Sequence, residues 1–368
     1  MSKKKSTRKK SSNKKSSNKK SSNKKSSVKV PADEANTPIT IDDVVVNPGT
    51  RAAIELPIAD LYTGTSLSMP VQVICGRRKG PVLVVSAAVH GDELNGVEVI
   101  RRLLKRKGIT SIRGTLIAVP IVNVHGFLNQ SRYLPDRRDL NRSFPGSARG
   151  SIASRTANKF LKEIISKADV GVDLHTGAIN RSNLPQIRAK LDDKKTRELA
   201  GVFGVPVIVD SNIRDGSLRY CAADLGVPML VYEAGEALRF DEICIRGGLR
   251  GLDRIMRHIG MLPPAKKTKA VNSVVAASTS WVRAPDSGIV SRKVKLGARV
   301  REGQRIALIG DPLADDEVEV IAPFDGIVIG RSNLPLAHEG EALFNIAAFK
   351  SVSRAADKVE TFTATLST

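Results

Sequence analysis

Two histidines and one acid in this sequence have the types and the spacing to hold a metal ion. His90 and Glu93 lie in "AAVHGDELNG", where an apolar run stops and a helix-period segment begins. His175 ends another apolar run, in "DLHTG". Ligands of open α/β sheets gather at the carboxyl ends of strands, so we expect His90 and His175 at one edge. Two His and one carboxylate form a common catalytic zinc set that leaves a position for water.

The segment around His90 also has a purely structural explanation. Asp92 and Glu93 are acids of the kind that the dipole favours in the first turn of a helix. His90 would then be a hydrogen-bonded core residue. The second strand-end histidine, His175, favours the metal site over this alternative. Of the other histidines, His125 in "IVNVHGF" is a weaker functional candidate, and a helix surface and a turn are predicted for the remaining two, His258 and His338.

A proton acceptor is the second requirement for a site that activates water. The apolar run "VPMLVYE" ends with Glu233, and Glu236 follows it closely. A carboxylate at this strand end could reach the same crevice as His90 and His175. We therefore predict Glu233 as the general base, with Glu236 as the alternative. The competing explanation is that both acids are exposed turn residues.

The loop at 132–146, "RYLPDRRDLNRSFPG", is rich in Arg and in turn residues. Asp136 and Asp139 are the acids that balance its cations. This composition favours recognition of a carboxylate by bidentate pairing. An Arg next to a metal could also stabilise a developing oxyanion. A solvated basic loop is the alternative.

Short apolar runs alternate with helix-period segments from about residue 40 to 262, and these elements must position the candidate residues. The runs are Val-rich and nearly continuous, as in strands buried on both faces of a largely parallel sheet. They span 81–89, 114–122, 168–174, 205–210 and 227–233. Between them, Leu94, Val97, Ile100 and Leu104 share one helical face. The pattern predicts an α/β fold with a mixed, mostly parallel sheet flanked by helices.

The sequence pattern becomes typical of an all-β domain after a segment at 263–279 that is predicted to be a linker. "APDSGIV" at 284–290 is followed by the similar "APFDGIV" at 322–328, with short alternating runs and Gly turns between them. Two similar halves of this kind predict a small sandwich or barrel with internal symmetry.

Composition and charge bound the class of the 368-residue protein. Hydrophobic residues make up 41% of the chain, which is enough for a sizeable core. The net charge is +22, and residues 1–30 hold 13 Lys or Arg with no acid. This repetitive Lys/Ser/Asn segment is predicted to be disordered, either as a non-specific polyanion contact or as a solvated extension. Three dispersed cysteines, no signal-like stretch and no run long enough to span a membrane predict a soluble cytoplasmic protein.

The motifs "HGDE", "DLNRSFPG", "DLHTG" and "YEAGE", in this order, resemble the succinylglutamate desuccinylase/aspartoacylase family of the zinc carboxypeptidase superfamily. The resemblance implies one zinc ion held by His90, Glu93 and His175, and Glu233 as general base and later proton donor. It also implies that metal-activated water attacks an amide carbonyl. Further implied roles are substrate binding for Asn141, Arg142 and Arg188, and carbonyl polarisation for Arg132.

The C-terminal part resembles a biotinyl/lipoyl-type barrel-sandwich hybrid in "VKLGARVREGQRIALIG" and "VIAPFDGIV". The hairpin between its halves, "GDPLADDEVEVIAP", has no Lys for cofactor attachment, so shielding of the active site or assembly is the expected role. The full prediction is a disordered basic tail at 1–35, a zinc-dependent hydrolase domain at 40–262, the linker, a β barrel-sandwich domain at 280–347 and a C-terminal tail at 348–368.

A zinc-dependent deacylase acting on an N-acyl amino acid or a similar small carboxylated amide is the function that these observations favour. Two alternatives remain open: a metallocarboxypeptidase acting on peptides, and a non-catalytic protein that binds a metal or a polyanion. A homo-oligomer is compatible with the sequence.

Overall fold

The computed structural model of this chain describes residues 34–265, 273–313 and 316–367. Most of the predicted basic tail therefore lies outside the described residues. The strands are β1 (Ile39–Ile41), β2 (Val44–Val46), β3 (Thr50–Asp60), β4 (Ser66–Cys75), β5 (Arg78–Ala87), β6 (Arg113–Val119), β7 (Val170–Gly177), β8 (Arg181–Ala189), β9 (Val207–Asp210), β10 (Met229–Glu236), β11 (Val274–Ala276), β12 (Ser278–Arg283), β13 (Gly288–Ser291), β14 (Arg299–Val300), β15 (Arg305–Gly310), β16 (Glu317–Ile321), β17 (Gly326–Ser332), β18 (Leu336–Ala337) and β19 (Ala342–Ala348).

The helices begin and end close to the segments with helical apolar spacing. They are α1 (Asn95–Leu104), α2 (Val124–Leu128), α3 (Ile152–Glu163), α4 (Lys194–Phe203), α5 (Leu218–Asp224), α6 (Glu242–His258) and α7 (Val352–Ser367). In the part of the chain that the structure describes, no helix is both long enough and apolar enough to cross a membrane.

One large mixed sheet organises the described residues, and it contains 13 strands. Its central strands β6, β5, β7 and β10 are parallel neighbours, and β8 pairs antiparallel with β10. Helices α1, α4 and α6 pack on one face, while α3 and α5 pack on the other. All eight residues of β7 are buried, as expected for a strand covered on both sides. The predicted mixed α/β class is confirmed.

The all-β C-terminal part shares the large sheet instead of standing apart from it. Strands β17, β19 and β12 extend this sheet beyond β8, and β17 pairs directly with β8. A second sheet, in the order β16, β15, β13 and β18, closes a separate apolar core against them. The β-domain is therefore attached to the predicted hydrolase domain at 40–262 through backbone hydrogen bonds.

Two predicted irregular segments contain regular structure. The predicted linker at 263–279 includes β11, which pairs with β9, and the start of β12. The predicted C-terminal tail at 348–368 includes α7. Val359 and Leu366 of α7 are buried, and Phe362 packs against the core around α6, so this helix exists because its apolar face is covered.

Candidate active site

The turn between β5 and α1 carries His90 and Glu93. Its close packing depends on Gly91, because a Cβ at this position would lie 2.0 Å from the carbonyl carbon of Gly126 in α2. Asn95, at the start of α1, donates to the carbonyl of Ala234 and accepts from the backbone N–H of Asp241. These contacts fix the turn above the carboxyl ends of β5 and β10.

His90, Glu93 and His175 form one compact, buried group. The Nδ1 atom of His90 lies 2.8 Å from Oε1 of Glu93, and Nδ1 of His175 lies 2.8 Å from Oε2 of the same carboxylate. One ligand atom from each residue lies within 4.8 Å of the others. His175 is the third residue from the end of β7, so the buried strand itself places its ring in the group. The structure thus brings together all three predicted ligands.

Each histidine ring is held on its other side by a second carboxylate. Asp139 Oδ1 lies 3.0 Å from Nε2 of His90, and Asp173 Oδ2 lies 2.7 Å from Nε2 of His175. Ser86 of β5 donates to Asp173 at 2.7 Å. Such outer carboxylates fix the tautomer and the orientation of ligating histidines. Both rings therefore direct Nδ1 toward Glu93, where a metal would be held.

In this group, charge attraction shifts the pKa values more than burial does. Burial lowers the pKa of His90, but the charge of Glu93 and the hydrogen bond to Asp139 give a net rise. For His175, burial again lowers the pKa, and Asp173 and Glu93 raise it well above its ordinary value. Burial raises the pKa of Glu93, but the two histidines hold it well below the usual range of a glutamate. The group is therefore a coupled set of charges, with Glu93 as the shared anion.

Arg132 is the cation of the Arg-rich loop that reaches this group. Its guanidinium donates to Asp139 at 3.0 Å and lies 3.5 Å from Glu93. The side chain remains about one quarter exposed, at 27%. A partly exposed, always-charged donor beside the buried group can meet a substrate oxygen without moving far.

The two acids at the end of β10 have different surroundings. Glu233 is the register neighbour of His175, and its carboxylate accepts one hydrogen bond, from Asn183, at 2.9 Å. Glu236 accepts from the backbone N–H of Asn180 and from the side chains of Ser182 and Asn333. Glu236 therefore joins the β7–β8 turn to the β-domain, whereas Glu233 stays 18% exposed beside the metal-ligand group.

The remaining predicted substrate residues are less directly placed. Asn141 accepts the backbone N–H of Leu218 at the start of α5, and Arg142 is exposed and donates to the carbonyl of Asn141. Within the described ranges, neither side chain has a hydrogen bond or ion pair with the three predicted ligands. Arg188 lies closer, with its Nε atom 4.0 Å from Glu233.

Three residues that contact the site were not assigned to it from the sequence, and the first is Asp139, which contacts Nε2 of His90. Asp173 and Asn183 contact His175 and Glu233, as described above. Arg219 of α5 is a further basic residue on which these charges act: burial and the charge of Arg188 lower its pKa, while the charges of Glu233 and Asp173 oppose that shift. Its guanidinium donates to the hydroxyl of Ser211 at 2.9 Å, and its sequence neighbours give no motif. The D-x-H spacing of Asp173 and His175 was the one available signal.

The sheet and the buried His–Glu–His group at its carboxyl edge define a mixed α/β protein with a candidate metal centre. Residues 79–259 match the model of the succinylglutamate desuccinylase/aspartoacylase catalytic domain. Residues 79–259 are therefore similar to this catalytic domain, and the resemblance carried by the four motifs is confirmed. The family is one of deacylating hydrolases.

Individual relatives extend the similarity beyond that domain. N-alpha-acetyl-L-2,4-diaminobutyric acid deacetylase of Halomonas elongata is 25% identical in an alignment of 343 residues that covers 87% of this chain and 97% of the relative. A succinylglutamate desuccinylase/aspartoacylase structure from Rhodobacter sphaeroides is 26% identical, with a TM-score of 0.72, covering 81% of this chain and 96% of that one. The product-bound ectoine utilization protein EutE from Ruegeria pomeroyi, at 24% identity and a TM-score of 0.75, covers 85% and 99% and shares the fold.

Proposed function

We propose that this protein is a zinc-dependent deacylase that hydrolyses the amide bond of a small N-acyl amino acid. The observation that carries the proposal is the buried group of His90, Glu93 and His175 next to the partly exposed carboxylate of Glu233. Similarity of residues 79–259 to a family of deacylating hydrolases supports the reaction class.

The three predicted ligands fit zinc by the chemistry of their donor atoms. Two imidazole nitrogens and one carboxylate are a usual catalytic set for this ion, and both rings have the outer carboxylate partners that such ligands normally have. Zinc in this position supplies Lewis-acid activation of water and of the amide carbonyl.

The protein's own residues account for the proton movements of the reaction. Glu233 accepts a proton from the attacking water and returns it to the amine when the carbon–nitrogen bond breaks, which releases a carboxylic acid and a free amine. Arg132 donates to the oxygen that becomes negative during the attack. Both roles require side chains that are partly exposed beside the buried ligands, and both side chains are.

The substrate is expected to carry a carboxylate. Arg188 places positive charge beside Glu233, and Asn141 and Arg142 of the Arg-rich loop are proposed to bind the same end of the substrate. The similarity to a deacetylase of an N-acetylated diamino acid supports a short acyl group, and N-acetyl amino acids are the first substrates to test.

The test compares two carboxamide variants with zinc restored. Glu233→Gln should keep zinc and the melting temperature and lose hydrolysis by about 10²–10⁴-fold, since positioned proton transfer contributes this much. Glu236→Gln is the control: it should lower the melting temperature and retain most of the kcat. An active Glu233→Gln protein, or an inactive but fully folded Glu236→Gln protein, contradicts the assignment of the base.

A substrate panel separates the proposed deacylase from a peptidase. N-acetyl, N-succinyl and longer N-acyl amino acids should be hydrolysed with higher kcat/KM than peptides that end in the same amino acids. The reverse preference would support the metallocarboxypeptidase. A purified protein that binds no zinc and hydrolyses neither class would support the non-catalytic alternative.

A further inference from the structure

We infer that Asn183 is a positioning residue for Glu233, and that Gly330 of the β-domain leaves the space in which the Asn183 amide takes its position. This inference rests on the proposed function of Glu233. It gives the C-terminal domain a direct part in aligning the catalytic carboxylate, beyond shielding the site.

Asn183 is the hydrogen-bond donor that the structure shows on the Glu233 carboxylate. Its Nδ2 lies 2.9 Å from Oε2, and Asn183 is only 9% exposed. A buried amide in a strand has few rotamers available, so this contact restricts the carboxylate to one orientation. An amide donor does not titrate, and therefore it orients Glu233 without competing for the proton that the reaction moves.

Two glycines flank Asn183 in the sheet. Gly235 of β10 is its register partner on one side, and Gly330 of β17 is its partner on the other. A Cβ at Gly330 would lie 3.2 Å from Oδ1 of Asn183 and 3.1 Å from Cβ of Asn345. These distances are tight contacts for a methyl group, so an Ala at 330 must push one of the neighbouring side chains.

The row of side chains continues across the β-domain. Gly330 is opposite Asn345 of β19, and Asn345 is opposite Trp281 of β12. The Trp281 ring lies 3.6 Å from the position of a Cβ at Gly330, and it stacks against the guanidinium of Arg181 at 5.2 Å. Trp281 is the one tryptophan of the sequence, so its fluorescence reports on this row.

The β-domain also has a separate anchor on the same turn. Asn333 donates to Ser182 at 2.6 Å and to Glu236 at 2.7 Å, and its backbone N–H donates to the carbonyl of Asn180. Lys293 donates to the carbonyls of the residues around Asn333. Because this anchor holds β17 against β8, a methyl group at 330 is expected to displace the Asn183 amide more easily than the strand.

The experiment is a double-mutant cycle of Asn183→Ala and Gly330→Ala in the full zinc-loaded chain, assayed on an N-acetyl amino acid. Asn183→Ala should lower kcat by roughly 10–100-fold with KM nearly unchanged, as for a lost hydrogen bond to a charged group. Gly330→Ala should give a smaller loss of kcat and change the fluorescence of Trp281. In the Asn183→Ala background, the added Gly330→Ala change should alter kcat by less than about twofold.

Gly201→Ala in α4 is the matched control, because a Cβ there meets nothing within 4 Å, and it should leave kcat and fluorescence unchanged. Zinc content and melting temperature are measured for every variant. Additive losses in the double mutant, or a kcat unaffected by Asn183→Ala, would overturn the inference. Glu233→Gln distinguishes failure of the proposed function from failure of this inference. If it is inactive while Asn183→Ala is fully active, the assignment of the base is right and the positioning role is wrong.

Discussion

Replacement of Asp173 by Asn tests whether His175 is a metal ligand oriented by an outer carboxylate. Asp173 is 1% exposed, and its two oxygens contact Nε2 of His175 and the hydroxyl of Ser86. Asn keeps the size and one acceptor oxygen, and its amide can donate to the Ser86 oxygen. The substitution therefore removes charge from behind the His175 ring while the ring keeps its hydrogen bond.

The expected effect is a loss of zinc affinity. Changing an outer partner of a ligating histidine typically costs 10–100-fold, or about 1.4–2.8 kcal/mol. The upper part of this range applies here because Asp173 is buried, and salt hardly screens its charge from the ring.

The difference should depend on pH in a definite direction. In the metal-free protein, the charge of Asp173 contributes to the raised pKa of His175, so protons compete with zinc more strongly in the wild type than in the variant. The affinity gap should therefore be largest at alkaline pH, where His175 is neutral in both proteins, and should shrink as the pH falls.

Competition with a chromophoric chelator at neutral and alkaline pH measures this gap. Asp169→Asn is the control, because Asp169 is an exposed acid just before the start of β7, and His175 lies near the other end of that strand. Equal affinity of wild type and Asp173→Asn at alkaline pH would refute the assignment of His175. Loss of zinc together with a large fall in melting temperature would instead indicate a folding defect.

Three further perturbations test other parts of the structure. Arg188→Gln should raise KM for a carboxylated substrate by roughly 10–100-fold with a smaller change in kcat, and an unchanged KM would remove this residue from substrate binding. Arg101 first, and also Arg102, lower the pKa of Glu98 to about 2 from an ordinary value of 4.5. This stabilisation is present above pH 4.5 and is lost as the pH falls toward 2. In denaturant titrations, the unfolding free energy of Glu98→Gln should therefore change less over that pH window than that of the wild type. Parallel curves for the two proteins would contradict the linkage. Deletion of residues 1–30, with their 13 cations, should abolish salt-sensitive binding to a labelled polyanion and leave hydrolysis intact; unchanged binding would exclude the tail as the contact.

The fold was predictable where burial leaves a local pattern. The five apolar runs correspond to β5, β6, β7, β9 and β10, because strands covered on both faces must be apolar throughout. The order of the strands was not predictable, because it depends on contacts between distant segments. The pairing of β17, in the β-domain, with β8 of the main sheet is such a contact.

Strand β8 shows why the site itself hides part of the pattern. Its sequence, "RSNLPQIRA", lacks the apolar run that marks the other central strands. The polar residues Asn183, Gln186 and Arg188 belong there because one face of the strand borders the candidate active site. A strand that serves a polar site therefore loses the hydrophobic signature by which strands are recognised.

The two acids at the end of β10 mark the limit of local reasoning about function. Glu233 and Glu236 follow the same strand three residues apart, and sequence spacing cannot assign their roles. Their partners differ: Glu236 is bound by residues 56, 54 and 97 positions away, whereas Glu233 accepts from the Asn183 amide and lies 4.0 Å from Arg188. The oxygens of Glu236 are occupied by donors that join the β7–β8 turn to the β-domain. Glu233 has an amide donor on one oxygen and an exposed edge, so water can reach its carboxylate. Glu233 is therefore proposed as the base because of its surroundings, which exist only in the folded chain.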